Sequence, residues 1–236
     1  MGALRAGGLT GLMNQPSAQV IDGSLRFDKS KSNYLNRTPS SSGNRKTWTW
    51  SGWVKFFGGT SSNPHLMRVT AVNTAIRFST GKILNFYTDD GGVKHIRTNA
   101  VFRDTAWYHI VVACDTTQST PSDRVKIYVN GELQTSLSTA TYPSENFDTG
   151  FNSTNLHGLG AASDGTELFD GYLSQIYLID GQALTPDSFG FTDPLTGTWR
   201  PKKYEGTFGT NGFYLPMDGN SPIGEDKSGN GNDWAP

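Results

Sequence analysis

The sequence predicts an all-β protein in which two antiparallel sheets pack face to face as a sandwich. Residues 125–129 alternate apolar with polar side chains, Asn130-Gly131 supplies the two positive-φ positions of a type I′ turn, and residues 133–137 continue the alternation on the way back. Such a hairpin is unstable alone, so its apolar face needs a second sheet. With 28 Gly, 12% aromatic and 17% charged residues in 236, the composition favours short strands and turns over helices.

Further stretches with strand character supply the partners of this hairpin. Leu173 and Ile176 have opposite parity in one of these stretches, which predicts either two covered faces or a β-bulge. The predicted strands are residues 24–28, 34–38, 47–57, 65–72, 75–79, 83–88, 93–98, 107–115, 155–160, 169–181 and 212–218.

The tryptophan-rich strand at 47–57 has two chemically different faces. Trp48, Trp50, Val54 and Phe56 share one parity and are predicted to enter the core. Trp53 has the other parity and stands among polar residues, so its indole is available for a sugar, a partner or the cover of a neighbouring loop.

The chain divides into three predicted regions. Residues 1–20 form a Gly-rich N-terminal arm, residues 21–194 the sandwich, and residues 195–236 an irregular C-terminal extension with a returning strand at 212–218. Thr185 and Pro186 begin one short helical turn near residues 185–189. The arm carries apolar side chains that could order against a neighbouring subunit in an anchoring or assembly role: Leu4, Leu9, Leu12 and Met13.

Charge and hydropathy restrict the partners. Twenty basic and 21 acidic residues give a net charge of −1, which argues against nucleic acid and against anionic membrane surfaces. No stretch approaches ~20 apolar residues and the N-terminus lacks a signal-peptide pattern, so we expect no membrane insertion and synthesis in a cytoplasm. The single cysteine, Cys114, is expected to be a buried thiol.

Several phrases resemble signature strands of the laminin-G-like, concanavalin-A-like lectin and glucanase superfamily, whose fold is a jelly-roll sandwich. WYHIVV at 107–112, VKIYVNG at 125–131 and FDGYL at 169–173 stand in the expected order. A closer similarity is to the versions of this module in tailed-phage and marine viral structural proteins. It is carried by residues 24–28, 45–55, 180–190, 209–215 and 226–234.

The resemblance implies a non-enzymatic virion structural protein, as a capsid decoration, head fibre or tail fibre component. It implies a location on the virion after synthesis in the host cytoplasm, other virion proteins as partners, and a homo-oligomer for which a trimer is the expected symmetry. The N-terminal arm or the C-terminal segment would dock to neighbours. The module could also aid adhesion to the host surface.

The alternative is a carbohydrate-binding lectin module that recognises host-surface glycans. Aromatic side chains among polar turn residues can stack on sugar rings. The predicted glycan-binding residues are Trp53, Tyr87, Tyr142 and Phe147.

A glycoside hydrolase is a remote third alternative. A retaining glycosidase needs two carboxylates about 5–5.5 Å apart. Glu167 and Asp170 are three residues apart, and therefore on opposite faces of a regular strand. The glucanase E-x-D-x-x-E pattern is missing, and the four histidines form no metal-binding pair, so the protein is predicted not to be an enzyme.

Calcium is the one cofactor that the sequence leaves possible. Laminin-G-like and lectin relatives often bind it through loop carboxylates, and this chain carries acidic residues in predicted turns. The candidate calcium ligands are Asp89, Asp90, Asp148 and Asp164, each of which also fits an ordinary turn.

Overall fold

The computed structural model describes residues 18–57, 63–103 and 106–236. Two seven-stranded antiparallel sheets dominate it, which confirms the predicted all-β sandwich. The strands are β1 (Leu25–Phe27), β2 (Leu35–Arg37), β3 (Thr47–Phe56), β4 (His65–Val69), β5 (Thr74–Ser79), β6 (Ile83–Asp89), β7 (Val93–Val101), β8 (Trp107–Asp115), β9 (Val125–Val129), β10 (Glu132–Leu133), β11 (Leu137–Ala140), β12 (His157–Leu159), β13 (Gly171–Asp180), β14 (Gly190–Thr192), β15 (Trp199–Pro201) and β16 (Phe213–Leu215).

Sheet A has the spatial order β1-β13-β3-β8-β9-β10, and sheet B has the order β11-β7-β6-β5-β4-β12-β2. The resemblance to the jelly-roll superfamily implies that the terminal strands, at residues 24–28 and 212–218, lie side by side. Instead, β1 pairs with residues 171–173 of β13 and β16 with residues 176–178, both on the edge away from β3. The two terminal strands therefore lie end to end along one edge of sheet A.

The main core lies between the two sheets. Trp48, Trp50, Val54 and Phe56 are all at most 2% exposed, as the alternation in β3 predicts. Each such side chain stabilises the fold by roughly 1.5–3 kcal/mol through burial. Cys114 is buried beside them, and this burial raises the pKa of its thiol.

A β-bulge in β13 explains the parity of its apolar residues. The pairing with β3 shifts register between Ser174 and Tyr177, and Gln175 has a φ of 51°. The extra residue brings both Leu173 and Ile176 into the core, where each has no exposed surface. The structure contains the bulge, and β13 is also covered on both faces, because all of its residues except Tyr172 are buried.

The predicted hairpin is correct at its turn but wrong in its return strand. Asn130 and Gly131 have φ values of 49° and 86°, as a type I′ turn requires. Only Glu132 and Leu133 return along β9, and the chain then crosses to sheet B, where β11 pairs with β7. The physical reason is the burial of apolar side chains. Leu133 is 43% exposed at the edge of sheet A, whereas Leu137 packs against the main core from sheet B.

The prediction that residues 195–211 form a loop is wrong at one place. Trp199–Pro201 pairs with Gly190–Thr192 as a separate two-stranded sheet. The predicted helical turn exists as a 3-10 turn over Pro186–Ser188, with Thr185 at the N-cap position but without a capping bond from its hydroxyl.

The C-terminal segment is attached to the sandwich. Trp234 is 3% exposed and packs edge-to-face on Phe213, with ring centroids 5.0 Å apart. A further bridge joins Ala235 to Asn36 of β2. Among the described residues, helical structure is limited to three-residue 3-10 turns, and none has the length or hydropathy needed to cross a bilayer.

Candidate functional site

The outer face of sheet A presents a row of side chains centred on Trp53. In the register of the sheet, Trp53 of β3 lies opposite Ser174 of β13 on one side and His109 of β8 on the other. The rings of Trp53 and His109 have centroids 5.2 Å apart. Trp53 thus points away from the core, as its parity predicts, and stands beside a second ring.

The next row along the same face adds two more aromatic residues. Lys55 lies opposite Tyr172 of β13 and Trp107 of β8. Alternate residues of a strand share one face, so Trp107 projects on the same side as Trp53 and is its diagonal neighbour. Trp107 is 37% exposed, and its ring centroid is 6.5 Å from that of Tyr172.

An open cleft of about 400 Å³ lies over these two tryptophans, and we call it the Trp53 cleft. The hydroxyl of Ser174 donates a 2.7 Å hydrogen bond to the carbonyl of Gly23, which ties the N-terminal rim of the cleft to β13. The residues that line the Trp53 cleft are Ile21, Gly23, Ser24, Trp53, Trp107, Ser174 and Pro201.

One end of this aromatic face carries a cation. The guanidinium of Arg26 lies 4.9 Å from the ring centroid of Phe57 and 5.6 Å from that of Tyr172. Arg26 also makes a 2.7 Å ion pair with Asp170. The charge of this arginine is therefore largely compensated within the protein.

The β14–β15 hairpin covers the remainder of the outer face. Trp199 stacks on His109 with centroids 5.9 Å apart, and its ring lies where a Cβ on Gly131 would be, within 2.5 Å. Beneath the hairpin and the residues after it is a second apolar cluster: Val111, Tyr177, Ile179, Phe189, Tyr204 and Tyr214. The Trp53 cleft lies on the same outer face, beside this cover.

His109 and Ser51 form a buried pair on this face, 2.9 Å apart between Nε2 and Oγ. The Nε1 of Trp199 donates a 3.0 Å hydrogen bond to Nδ1 of His109, so Nδ1 is an acceptor. Burial lowers the pKa of His109 to about 3, and its neutral ring therefore carries the proton on Nε2 and donates it to Ser51. In this tautomer the histidine cannot act as the base that would activate the serine hydroxyl.

The other predicted glycan-binding aromatics do not join Trp53. The prediction that Tyr87 is exposed is wrong: it lies on sheet B, is 3% exposed and is covered by the guanidinium of Arg77, 4.3 Å from its ring centroid. Tyr142 is half-buried and packs against the main core. Phe147 is also half-buried, in the loop after β11.

Each of the four candidate calcium ligands lies in a surface loop or at its edge. Asp89 accepts a 3.0 Å hydrogen bond from the backbone of Gly92, and Asp90 accepts one of 2.5 Å from the backbone of Ser144. Hydrogen bonds from Thr166 hold the pKa of Asp164 below its ordinary value. Asp148 is exposed, and nowhere in the described ranges do three or more acidic, histidine or cysteine side chains cluster as metal ligands would.

Glu167 and Asp170 are held by arginines of different sheets. Glu167 forms an ion pair with Arg68 of β4, whereas Asp170 pairs with Arg26 of β1. The two carboxylates are thus directed to separate partners. The four arm residues Leu4, Leu9, Leu12 and Met13 lie outside the described residues.

Sequence reasoning missed Trp107 and Tyr172 as members of this face. The signal was present, because Trp107, His109 and Val111 share the parity opposite to Ile110 and Val112. His109 is buried beneath Trp199 on the outer side of sheet A.

Comparison with known proteins identifies the fold. The profile of the family described as the concanavalin A-like lectin/glucanases superfamily matches residues 29–188. A structure from Bacteroides ovatus, provisionally described as a carbohydrate binding protein, is 18% identical with a TM-score of 0.59; the alignment covers 90% of this chain and 57% of that one. A native heptameric SAP-like pentraxin from Limulus polyphemus is 17% identical with a TM-score of 0.50, covering 72% and 80%. At these identities the likeness is one of fold, and no curated protein matches this sequence.

Proposed function

Because this chain belongs to the concanavalin A-like lectin/glucanase superfamily, we propose that it is a non-enzymatic, lectin-like module whose Trp53 cleft binds a sugar ring. The observation that carries the proposal is the diagonal placement of Trp53 and Trp107 on one open face of sheet A. Within the sheet, Trp53 contacts the ring of His109 and Trp107 that of Tyr172, and Trp107 leaves 37% of its surface in water, where a sugar ring could cover it.

The chemistry of the cleft suits a saccharide. A sugar ring has apolar C–H faces that pack on indole and hydroxyl groups that need polar partners. Ser24 lines the cleft with the two tryptophans and can supply a hydroxyl, whereas Ser174 is 1% exposed and its hydroxyl is bonded to the carbonyl of Gly23. The Bacteroides ovatus protein that shares this fold is provisionally described as a carbohydrate binding protein, which supports the proposal of a sugar site.

A glycan array with the purified full chain tests this proposal. We expect binding to a restricted set of glycans, in the presence and absence of calcium, and loss of those signals in the Trp107→Ala protein. If glycan binding depends on calcium, the candidate calcium ligands to test are Asp89, Asp90, Asp148 and Asp164. An array with no binder, or one unchanged by Trp107→Ala, would contradict a sugar site in the cleft.

A second candidate function is a phage virion component that displays this module on a capsid or tail, in contact with other virion proteins. It is favoured by the similarity of residues 24–28, 45–55, 180–190, 209–215 and 226–234 to viral structural proteins. The side chain of Gln19 bonds to Gln175 at 2.7 Å, and its backbone bonds to Pro201 at 2.9 Å. These contacts attach Gln19 to β13 and β15, directly after the predicted N-terminal arm.

Light scattering on the full chain and on a chain that begins at Ala18 tests the role of the arm. The shorter chain keeps the Gln19 contacts and therefore the described fold. We expect a defined homo-oligomer, with a trimer as the predicted state, that becomes a monomer on truncation. If both chains form particles with the same number of subunits, the arm has no role in assembly.

A further inference from the structure

The outer face of sheet B carries a concentration of arginines that the Trp53 cleft does not use. In the register of the sheet, Arg77 of β5 and Arg97 of β7 both lie opposite Asn85 of the intervening strand β6. Neighbouring strands are about 4.8 Å apart, so the two arginine backbones are separated by roughly 10 Å. Both side chains project from the face that is turned away from the core.

The adjacent row adds a third arginine and an aromatic ring. Arg68 of β4 lies opposite Ala75 of β5, which in turn lies opposite Tyr87 of β6. The guanidinium of Arg77 stacks over Tyr87 at 4.3 Å from the ring centroid. We call Arg68, Arg77 and Arg97 the arginine face.

These cations have too few anionic partners. Glu167 pairs with Arg68, but within the described parts of the chain neither Arg77 nor Arg97 has a carboxylate within 4.0 Å. Three arginines face Glu167 and Asp164, which also interacts electrostatically with Arg68, so a local charge of about +1 is left on Arg77 and Arg97 in a chain whose net charge is −1. The Nε atoms of Arg68 and Arg97 are also buried without a hydrogen-bond partner.

The arrangement is costly in the free protein. Asn85 and Tyr87 are at most 3% exposed because the arginine side chains lie across them. Burial lowers the pKa of Arg77; Tyr87 and Glu167 oppose this shift, and the charges of Arg68 and Arg97 add to it. Unpaired, partly desolvated guanidiniums on neighbouring strands repel one another, and a bound anion would relieve that repulsion.

We propose that the arginine face binds an acidic saccharide through its carboxylate or sulfate groups. Guanidinium groups bind such oxyanions through paired N–H donors, and Arg77 and Arg97 have these donors free of ionic partners. The patch is three arginines wide in a protein without surplus positive charge, which suits one or two anionic groups rather than a nucleic-acid backbone. The site lies on the opposite sheet from the Trp53 cleft, so the two proposals can fail separately.

Calorimetric titration of the full chain at low ionic strength tests the proposal with three probes of similar length. These are an oligogalacturonate, a sulfated oligosaccharide and a neutral galacto-oligosaccharide. We expect one or both acidic probes to bind, and Arg77→Gln or Arg97→Gln to weaken that binding about tenfold or more. Lys203→Gln removes the same charge from an exposed position beyond the β14–β15 hairpin and is expected to leave the affinity unchanged.

Two further results separate a binding role from a structural one. Arg97→Gln should unfold at about the same temperature as the parent protein, because no carboxylate of the described residues lies within 4.0 Å of Arg97. Trp107→Ala should retain the acidic probe. Absence of binding to both acidic probes, equal binding by Arg97→Gln, or equally tight binding of a single-stranded DNA oligonucleotide would overturn the proposal.

Discussion

Trp199 fixes the proton of His109 from outside the sheet. Its Nε1 donates a 3.0 Å hydrogen bond to Nδ1 of a histidine that is 1% exposed, and Ser51 accepts from the other ring nitrogen. A hairpin that sequence reasoning took for loop therefore completes the polar pairing of a buried ring. This relationship links the cover of sheet A to the stability of the strands beneath it.

Replacing Trp199 by phenylalanine should destabilise the protein by about 1–3 kcal/mol. Phenylalanine keeps an aromatic ring at this position, but without the indole N–H the Nδ1 of His109 is left buried without a donor. Urea denaturation followed by circular dichroism measures the free energy of unfolding. Trp53→Phe is the matched control, since its indole makes no hydrogen bond to any of the described residues and the expected loss is smaller. Equal losses in the two variants would contradict the role assigned to the hydrogen bond.

Stability should fall as the pH is lowered from 6.5 toward 4. Burial lowers the pKa of His65 and His109 to about 3 and that of His157 to about 4, from an ordinary value of 6.5. Below pH 6.5 the unfolded chain binds protons that the folded chain does not, so each histidine removes up to about 1.4 kcal/mol per pH unit.

Urea midpoints at pH 7.5, 6.0 and 5.0 measure this dependence. Above pH 6.5 all three histidines are neutral in both states, and the histidine contribution should be flat. His109→Gln should reduce the slope below pH 6, because one of the buried neutral rings is then absent. A midpoint that does not change between pH 7.5 and 5.0 would show that these rings are protonated in the folded protein.

The C-terminal segment should depend on one carboxylate. Asp226 is 8% exposed and accepts hydrogen bonds of 2.8–2.9 Å from the backbone of Tyr214, Ser228 and Asn232 and from the hydroxyl of Ser228. Asp226→Ala leaves these donors unsatisfied and should lower the free energy of unfolding by about 3 kcal/mol or more.

Limited proteolysis of the Asp226→Ala protein should also release the residues around Trp234 earlier than in the parent protein. Asp218→Ala, which removes an exposed turn contact to Asn220, is expected to stay within about 1 kcal/mol of the parent. If both variants behave alike, the segment is held by packing of Trp234 rather than by the Asp226 network.

Local pattern predicted much of the fold. The alternation in β3 placed Trp48 and Trp50 in the core and Trp53 outside, and the parity of Leu173 and Ile176 predicted either two covered faces or a bulge, both of which the structure has. The crossing after Leu133 could not be predicted in this way, because the residues that follow alternate regularly in either sheet. Which sheet they join depends on burial against residues that are distant in the sequence, and a period-2 pattern carries no information about those residues.

The candidate sites were harder to predict because they depend on register. Trp53 was visible from its own strand, but its partner Trp107 is 54 positions away and becomes a neighbour only through the pairing of β3 with β8. The arginine face arises in the same manner from three strands. Tyr87 fails as an exposed aromatic because Arg77, on the neighbouring strand, covers it.

Titration of the best array glycan into the parent, Trp107→Ala and Tyr142→Ala proteins tests the central claim most directly. Trp107 is 37% exposed, so its truncation should leave the fold intact, which the circular dichroism spectrum checks. We predict that Trp107→Ala weakens binding about tenfold or more and that Tyr142→Ala does not change it. Unchanged affinity in Trp107→Ala, or a loss confined to Tyr142→Ala, would contradict a sugar site in the Trp53 cleft.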